Sequence, residues 1–339
     1  MLTILSIGYP FAPVTPDPVG GAEQVLAALD RALVHAGHRS LVIAPEGSDV
    51  AGELVPIPAV RHDIGDEVRA RTHAAVREAT GRVLAAVPVS AIHLHGIDFD
   101  GYLPPADVPA LATLHLPIGW YSEGALGSGL MLVPVSRDQT SRGPDGLRAA
   151  EPIPNGVDLD LYRPAAAKGA YALVLGRVAA EKGFPAALDA ARLAGVPCKA
   201  AGEVFPYPAH QRHFAEEIVP RLDEEREWLG PVTGEAKRRL LAQARCLLVP
   251  STAPETSSLV AMEALASGTP VIAYRAGALP EIVEHGVTGF VVDGVGEMVK
   301  AIGRVDGIDP AACRRAAEAR FPLARTTAAY LALYERLAA

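Results

Sequence analysis

The chain has 339 residues, enough for about two domains, with 50% hydrophobic and 21% charged residues, as in most globular proteins. Residues 1–160 hold 10 Arg, no Lys and 19 Asp plus Glu, and this acidic balance argues against binding to nucleic acid or to an anionic lipid surface. No apolar run approaches the roughly 18 residues of a membrane span, and the three cysteines show neither metal-site nor disulfide spacing. We therefore expect a protein of a reducing, cytoplasmic compartment.

The first half of the chain alternates short apolar runs with longer segments of helical periodicity. Its first run, residues 2–8, predicts a strand rather than an export signal, because no basic segment precedes it. Further strands are predicted at 40–44, 91–95, 110–115 and 131–136, and helices at 22–36 and 67–87.

The same alternation restarts after residue 165. Strands are predicted at 171–176, 198–202, 246–250, 270–274 and 289–292, and helices at 184–194, 235–244, 258–267 and 280–285. This pattern predicts an α/β protein with two doubly wound parallel sheets whose strand ends face a cleft. We expect domains at 1–160 and 161–322, and a C-terminal helix within 323–339 that packs back on the first domain.

Two carboxylates interrupt the otherwise apolar or small stretch PETSSLVAMEALASGTPVIA. Glu255 precedes a predicted helix that is apolar all round apart from Glu263, as is typical of a buried helix. If helix filled the interval, the two would lie ~12 Å apart, which suits a nucleotide-linked sugar with its phosphates at the helix start. The alternative is that Glu263 pairs with a buried arginine and that Glu255 is a solvated loop residue.

The motif GRVAAEKG places Arg177 at the end of a predicted strand and Lys182 just before a helix. Two fixed cations in this position can neutralise a diphosphate without a metal. The alternative is a surface ion pair, for example between Arg177 and Glu181.

The first half offers glycines and histidines as candidates. Gly20 and Gly21, in the motif VGGAEQ, would let the backbone approach a ligand closely, or would simply form a tight turn into a helix. His115 ends a predicted strand and is therefore expected at the cleft, either contacting a donor or packed. His93 and His95 share one face of another strand, and we expect them to be packed or hydrogen-bonded, because no third metal ligand is evident.

In order and spacing, these motifs resemble those of the retaining glycosyltransferases of family 4, which have the GT-B fold. GGAE resembles the N-terminal glycine motif of that family, PNGVD its interdomain connector and GRVAAEKG its diphosphate-binding motif. PETSSLVAMEALASGTPVIA resembles the signature of two glutamates separated by seven residues, and GALPEIVEHGVTGFVV follows it. The resemblance covers nearly the whole chain and implies two Rossmann-like domains.

The resemblance also implies roles for individual residues. Arg177 and Lys182 would bind the donor diphosphate, and Glu263 would hold the ribose hydroxyls. Glu255 would hydrogen-bond to the donor sugar, which His115 would face from the acceptor domain. The remaining candidates for donor binding are Gly20, Gly21, Gly202, Val232, Ser257, Ser258, Leu259 and Val260. Among them, the amides of Leu259 and Val260 would meet phosphate oxygens, and main chain near Gly202 and Val232 would read the base.

The implied reaction moves a sugar from a nucleotide-diphosphate donor to a hydroxyl of a small-molecule or glycan acceptor, with retention of configuration. A UDP-sugar is favoured over a GDP-sugar, no metal or cofactor is expected, and bacterial natural-product or glycan biosynthesis is the implied setting. One departure concerns Thr256-Ser257-Ser258, which stands where the family commonly has Gly-Phe-Gly. The alternatives are a nucleotide-sugar 2-epimerase of GT-B fold and a non-catalytic protein that binds a nucleotide sugar.

Overall fold

A computed structural model describes residues 1–16, 18, 20–60, 64–205 and 207–339. The chain divides into two compact units, the first formed by Met1–Pro154 with Ala324–Ala339 and the second by Asn155–Leu323. Each unit contains one six-stranded sheet, and all neighbouring strands in both sheets pair in parallel. The α/β architecture with two parallel sheets is thereby confirmed.

The sheet of the first unit has the strand order β3-β2-β1-β4-β5-β6. Its strands are β1 (Thr3–Ile7), β2 (Arg39–Pro45), β3 (Glu53–Ile57), β4 (Ala91–Leu94), β5 (Ala110–Leu114) and β6 (Met131–Pro134). The helices of this part of the chain are α1 (Gly21–His35), α2 (Asp66–Ala86), α3 (Glu123–Leu126) and α4 (Arg137–Ser141). Helix α1 forms because Val25, Leu26, Leu29 and Leu33 recur at helical spacing, and all four side chains are buried.

The sheet of the second unit has the strand order β12-β11-β10-β7-β8-β9. Its strands are β7 (Ala172–Leu175), β8 (Cys198–Ala201), β9 (Arg226–Trp228), β10 (Cys246–Val249), β11 (Val271–Tyr274) and β12 (Gly289–Val292). Its helices are α5 (Phe184–Leu193), α6 (Pro208–His213), α7 (Gly234–Gln243), α8 (Leu259–Ala266), α9 (Leu279–Ile282), α10 (Val295–Ile302) and α11 (Pro310–Arg320). A short π-helical segment, Phe214–Ile218, continues directly from α6.

The last helix, α12 (Leu323–Leu337), packs in the first unit. The hydroxyl of Tyr334 lies 2.6 Å from Nδ1 of His93, and the hydroxyl of Tyr330 lies 2.7 Å from Oγ1 of Thr113. All four side chains are buried, so these hydrogen bonds satisfy polar groups that would otherwise be costly in the core. Among the helices of the described ranges, none combines the length and the apolar character that crossing a bilayer requires.

Each sheet has a point where the chain changes the direction in which it adds strands. This point lies between β1 and β4 in the first unit, and between β7 and β10 in the second. In doubly wound sheets, ligands bind beyond the carboxyl ends of the strands at this switch point. The loops after β7 and β10, which carry the two strongest sequence motifs, therefore flank the expected ligand position of the second unit.

Candidate functional site

The loop after β7 carries Arg177 and Lys182, and both cations are paired with carboxylates. Nη2 of Arg177 lies 2.9 Å from Oε1 of Glu181, which is the ion pair of the alternative interpretation. Nζ of Lys182 lies instead 2.5 Å from Oε1 of Glu255, on the loop after β10. The fold thus joins the diphosphate motif to the first glutamate of the signature across 73 residues of sequence.

Glu255 is held in place by its side chain and by its backbone. Ser251, which is buried, donates a hydrogen bond of 2.5 Å to the same Oε1 atom that contacts Lys182. The carbonyl of Glu255 accepts a 2.7 Å hydrogen bond from the amide of Ala278. Only 12% of the Glu255 side chain is exposed, so the alternative of a solvated loop residue is wrong.

Gly277 allows this close approach between the two loops. Its φ of +61° lies in the left-handed region, and a Cβ atom built on it would lie 2.2 Å from the carbonyl oxygen of Glu255. A glycine is therefore required here, both for its conformation and for the space that it leaves. Position 277 consequently fixes where the backbone of Glu255 runs.

Glu263 lies in α8 and is 2% exposed. Its Oε1 atom accepts hydrogen bonds of 2.7 Å from the Tyr162 hydroxyl and 2.7 Å from Nζ of Lys237. The alternative of a buried arginine partner is wrong, because the cation is a lysine from α7. Its Oε2 atom is buried and accepts no hydrogen bond from the described part of the chain. Glu263 therefore keeps one oxygen without a hydrogen bond from the described residues, and this oxygen is closed to solvent.

The residues before α8 leave polar groups at its start. Ser258 directly precedes the helix and makes no side-chain capping hydrogen bond, and the Ser257 hydroxyl is buried without a partner among the described residues. Leu259 and Val260 begin the helix, where main-chain N–H groups have no acceptor within the helix. This start follows the loop of Glu255, so it can offer N–H groups to an anion at the same sheet edge.

Gly202 and Val232, the candidates for reading the base, lie on two further loops. Gly202 follows β8, and a Cβ atom built on it would lie 1.9 Å from the carbonyl oxygen of Gly176, next to Arg177. Its amide donates a 2.9 Å hydrogen bond to the carbonyl of Gly230. Val232 is half-buried and precedes α7 by two residues. The structure brings Gly202 against the loop of Arg177, and the role of Gly202 and Val232 in reading the base stays a prediction.

In the first unit, the two candidate glycines lie at the start of α1. Gly20 precedes the helix and Gly21 is its first residue, while Val19, the first residue of this motif, lies outside the described residues. A Cβ atom built on Gly20 would lie 1.9 Å from Oε2 of Glu23, an acidic side chain of the first turn. The Glu23 side chain therefore occupies the space beside Gly20. The positive end of the helix dipole favours a negative charge at this position.

His115 follows β5 and is stacked on His95, with ring centroids 5.2 Å apart. Its Nε2 atom lies 3.0 Å from Nδ1 of His95, so one of these two nitrogens donates and the other accepts. Burial lowers the pKa of His115 to about 4, which keeps the imidazole neutral at physiological pH. His93 and His95 are buried and hydrogen-bonded, as expected, and the described residues contain no cluster of three His, Cys, Asp or Glu able to hold a metal.

Sequence reasoning missed Tyr162, Lys237 and Ser251. Lys237 lies one helical turn before Leu241, a buried residue of α7, and this spacing places it on the inward face. A lysine on an apolar face indicates a buried carboxylate partner. Glu263, the carboxylate of the apolar helix α8, was the candidate for that partner. Tyr162 and Ser251 carry no comparable signal, because their contacts depend on loops that the sequence does not position.

Comparison with known proteins bears directly on this site. Residues 169–305 match the family model described as Glycosyl transferases group 1. The D-inositol 3-phosphate glycosyltransferase of Mycolicibacterium smegmatis is 34% identical over 202 residues, which cover 53% of this chain and 46% of the relative. That of Mycobacterium tuberculosis (strain ATCC 25177 / H37Ra) is 33% identical over 238 residues, covering 60% and 48%. The chain spans about half the length of these curated relatives.

The solved structures extend the likeness to the whole chain. AviGT4, a glycosyltransferase involved in avilamycin A biosynthesis, has a TM-score of 0.72 and 26% identity, with 100% of this chain and 98% of that chain covered. HepE of Anabaena, in complex with UDP and glucose, has a TM-score of 0.75 and 19% identity over 99% and 100%. Sucrose-phosphate synthase from Thermosynechococcus elongatus has a TM-score of 0.80 and 22% identity over 99% and 99%.

The fold is therefore the GT-B fold of glycosyltransferases, built from two Rossmann-like units. The resemblance expected from the motifs is confirmed: residues 169–305, in the second unit, match the group 1 glycosyl transferases, and the whole chain is similar in fold to GT-B glycosyltransferases.

Proposed function

We propose that the protein transfers a sugar from a nucleotide-diphosphate donor to a hydroxyl group of a small-molecule or glycan acceptor. The observation that carries this proposal is the Lys182–Glu255 contact at the switch point of the second sheet, with Arg177 on the same loop. The second unit would bind the donor and the first unit the acceptor. The relatives' names support glycosyl transfer, and the UDP complex of HepE, which has the same fold, supports a nucleotide sugar as the donor.

The arrangement suits departure of a nucleoside diphosphate. Negative charge develops on the leaving phosphate, and preorganised cations and amides stabilise it without further reorganisation. Arg177, Lys182 and the amides at the start of α8 would supply this field. The field needs no bound metal, so we expect turnover in the presence of a chelator.

The two glutamates would act at opposite ends of the donor. Glu263 would accept hydrogen bonds from ribose hydroxyls through Oε2, since Oε1 is occupied by Tyr162 and Lys237. Glu255 would hydrogen-bond to hydroxyls of the transferred sugar. His115 would contact the substrate from the first unit. Its imidazole is neutral, and its Nε2 atom is hydrogen-bonded to His95.

Retention of configuration is the expected stereochemistry. It would arise from attack of the acceptor on the face from which the diphosphate leaves, with a phosphate oxygen accepting the proton of the acceptor hydroxyl. The bond between the anomeric carbon and the phosphate oxygen breaks as the bond to the acceptor oxygen forms. Among nucleotides we favour UDP over GDP.

The experiment is a turnover assay with UDP-glucose, UDP-N-acetylglucosamine and GDP-mannose, with and without a panel of hydroxyl acceptors. Transfer that is lost in Arg177→Ala, while the thermal transition is kept, would support the proposal. An epimerised nucleotide sugar formed without acceptor would instead favour the epimerase. Binding of UDP or GDP without turnover on any acceptor would favour a non-catalytic binding protein.

A further inference from the structure

Three histidine rings lie in a row where two neighbouring strands of the first sheet end. Strands β4 and β5 pair in parallel, and His95 directly follows β4 while His115 directly follows β5. The ring centroid of His93, within β4, lies 3.9 Å from that of His95, which is stacked in turn on His115. The proposed function involves only His115 and assigns no role to His95.

His95 differs from its neighbour in how its ring nitrogens are used. Both nitrogens of His93 are engaged, since Nδ1 contacts the Tyr334 hydroxyl and Nε2 lies 2.7 Å from Oγ1 of Thr113. His95 is 2% exposed, and its Nδ1 atom lies 3.0 Å from Nε2 of His115. Its Nε2 atom is buried without a hydrogen-bond partner among the described residues. A single hydrogen bond therefore links His95 to His115.

Both rings of this hydrogen bond are neutral near pH 7. Burial lowers the pKa of His115 to about 4 and that of His95 well below its usual range, and positive charge on His93 or His115 would lower the pKa of His95 further. Each ring therefore carries one proton, on one of its two nitrogens. Because the rings share a hydrogen bond, the position of the proton on one ring decides its position on the other.

The buried Nε2 atom of His95 distinguishes the two possible directions of this bond. If His115 donated from Nε2, the proton of His95 would lie on Nε2, as an N–H group buried without an acceptor in the described ranges. If His95 donates from Nδ1, its Nε2 atom is unprotonated. Among buried main-chain groups, an N–H without an acceptor is rarer than a carbonyl without a donor, and the same ordering applied to these rings favours donation by His95. The proton of His115 then lies on Nδ1, the nitrogen that His95 does not engage.

We propose that His95 is a positioning residue: it donates its Nδ1–H group to Nε2 of His115 and thereby holds His115 in the Nδ1–H tautomer, as a hydrogen-bond donor to an oxygen of the substrate and not as a base. This inference rests on the proposed function, in which His115 contacts the substrate. It agrees with a reaction in which a phosphate oxygen accepts the proton of the acceptor hydroxyl. Neither nitrogen of His115 can accept that proton, because Nδ1 carries its own proton and Nε2 accepts the hydrogen bond from His95.

The first measurement is the 15N NMR spectrum of the imidazole rings of the unliganded protein at pH 7.5, which distinguishes protonated from unprotonated ring nitrogens. The chain has 10 histidines, and the signals of His115 are those that disappear in His115→Gln. We expect a protonated Nδ1 and an unprotonated Nε2 for His115 in the wild type, and a mixture of both tautomers in His95→Leu. The matched control is Thr113→Val, which removes a buried hydroxyl from the hydrogen bonds of His93 and Tyr330 and should leave the tautomer of His115 unchanged.

The second measurement is kcat/KM for sugar transfer, with the donor and acceptor that the turnover assay identifies. We expect His95→Leu to lower kcat/KM roughly tenfold, as the loss of one well-placed hydrogen bond would do. His95→Asn should recover most of this loss, because its amide N–H group can donate from the position of Nδ1. Thr113→Val should keep the value of the wild type. If the leucine variant does not fold, a thermally stable His95→Asn is compared with the wild type in both measurements, and both should then agree.

A protonated Nε2 of His115 in the wild type would overturn the assignment, and so would the same tautomer and the same kcat/KM in the wild type and His95→Leu. Failure of the proposed function has a different signature, because then the wild type transfers no sugar to any acceptor. The NMR measurement on the unliganded protein does not depend on turnover.

Discussion

The Nζ atom of Lys237 lies 2.7 Å from the Oε1 atom of Glu263, and both side chains are almost completely buried. The lysine comes from α7 and the glutamate from α8, and the Tyr162 hydroxyl donates to the same oxygen. This contact keeps a carboxylate inside a helix that is otherwise apolar. The other oxygen of Glu263 has no hydrogen-bond partner in the described residues. This oxygen is the proposed acceptor of hydrogen bonds from the ribose hydroxyls.

Removing the lysine should destabilise the protein strongly. Lys237→Met leaves the Glu263 carboxylate buried and unpaired, and breaking a buried pair from one side typically costs about 3–5 kcal/mol. We expect a loss of this size in the free energy of unfolding, measured by urea denaturation. The double variant Lys237→Met, Glu263→Gln should recover part of it, because the uncompensated charge is gone. A single variant as stable as the wild type would show that the pair is not buried in solution.

Removing the charge of Glu255 should strengthen nucleotide binding and weaken sugar transfer. In Glu255→Gln the Lys182 ammonium loses its anionic partner and is free for the diphosphate, so we expect UDP to bind more tightly. Turnover should fall at the same time, because the proposed acceptor of sugar hydroxyls is lost. Calorimetry and a turnover assay measure the two effects. Weaker UDP binding in this variant would mean that Glu255 itself supports the diphosphate.

A methyl group at position 277 should displace the Glu255 loop. In Gly277→Ala the new Cβ atom would clash with the Glu255 carbonyl, and the positive φ would strain the backbone as well. Gly286 also has a positive φ, but the space around its Cβ position is open, so only the backbone strain applies there. We expect Gly286→Ala to cost about 1–2 kcal/mol, as left-handed backbone does for other residues, and Gly277→Ala to cost clearly more. Thermal unfolding of both variants makes the comparison. Equal destabilisation would remove the steric argument for this loop.

Lys168 should make stability depend on pH in the alkaline range. Its Nζ atom donates to the carbonyls of Ala242 and Ser267 and to Oγ1 of Thr269, and burial lowers its pKa to about 8 from 10.5. Between these values the unfolded chain binds more protons than the folded one, so this lysine makes stability rise as pH increases from about 8 to 10.

The comparison that isolates this effect is wild type against Lys168→Met. The free energy of unfolding of the wild type should rise relative to that of the variant across this pH window, as measured by urea denaturation at fixed temperature. A constant difference between the two proteins from pH 7 to 10 would show that Lys168 titrates as it does in the unfolded chain.

Local periodicity was enough to predict most of the fold. The strands β1, β7 and β10 and the helices α1 and α8 follow apolar patterns that the sequence shows directly. Two edge strands were missed, because β3 contains Pro56 and only Ile57 of its five residues is buried, and β9 has three residues, none of them buried. Edge strands have one unpaired side, so they need less apolar character to form.

The sequence predicted which loops carry the candidate site residues, but not which side chains those residues contact. Arg177, Lys182 and Glu255 could be assigned because strand ends share one edge of a parallel sheet. The pairing of Lys182 with Glu255 rather than with Glu181 depends on the tertiary approach of two loops, which Gly277 permits.

The central claim is that the second unit binds a nucleoside diphosphate at the loops after β7 and β10. Its most direct test is a crystal structure with whichever of UDP, GDP or ADP gives the largest thermal stabilisation. We predict that the pyrophosphate lies within hydrogen-bond distance of both the Arg177 guanidinium and the Lys182 ammonium, next to the first turn of α8. A pyrophosphate bound elsewhere, with Arg177 still on Glu181 and Lys182 still on Glu255, would contradict the account.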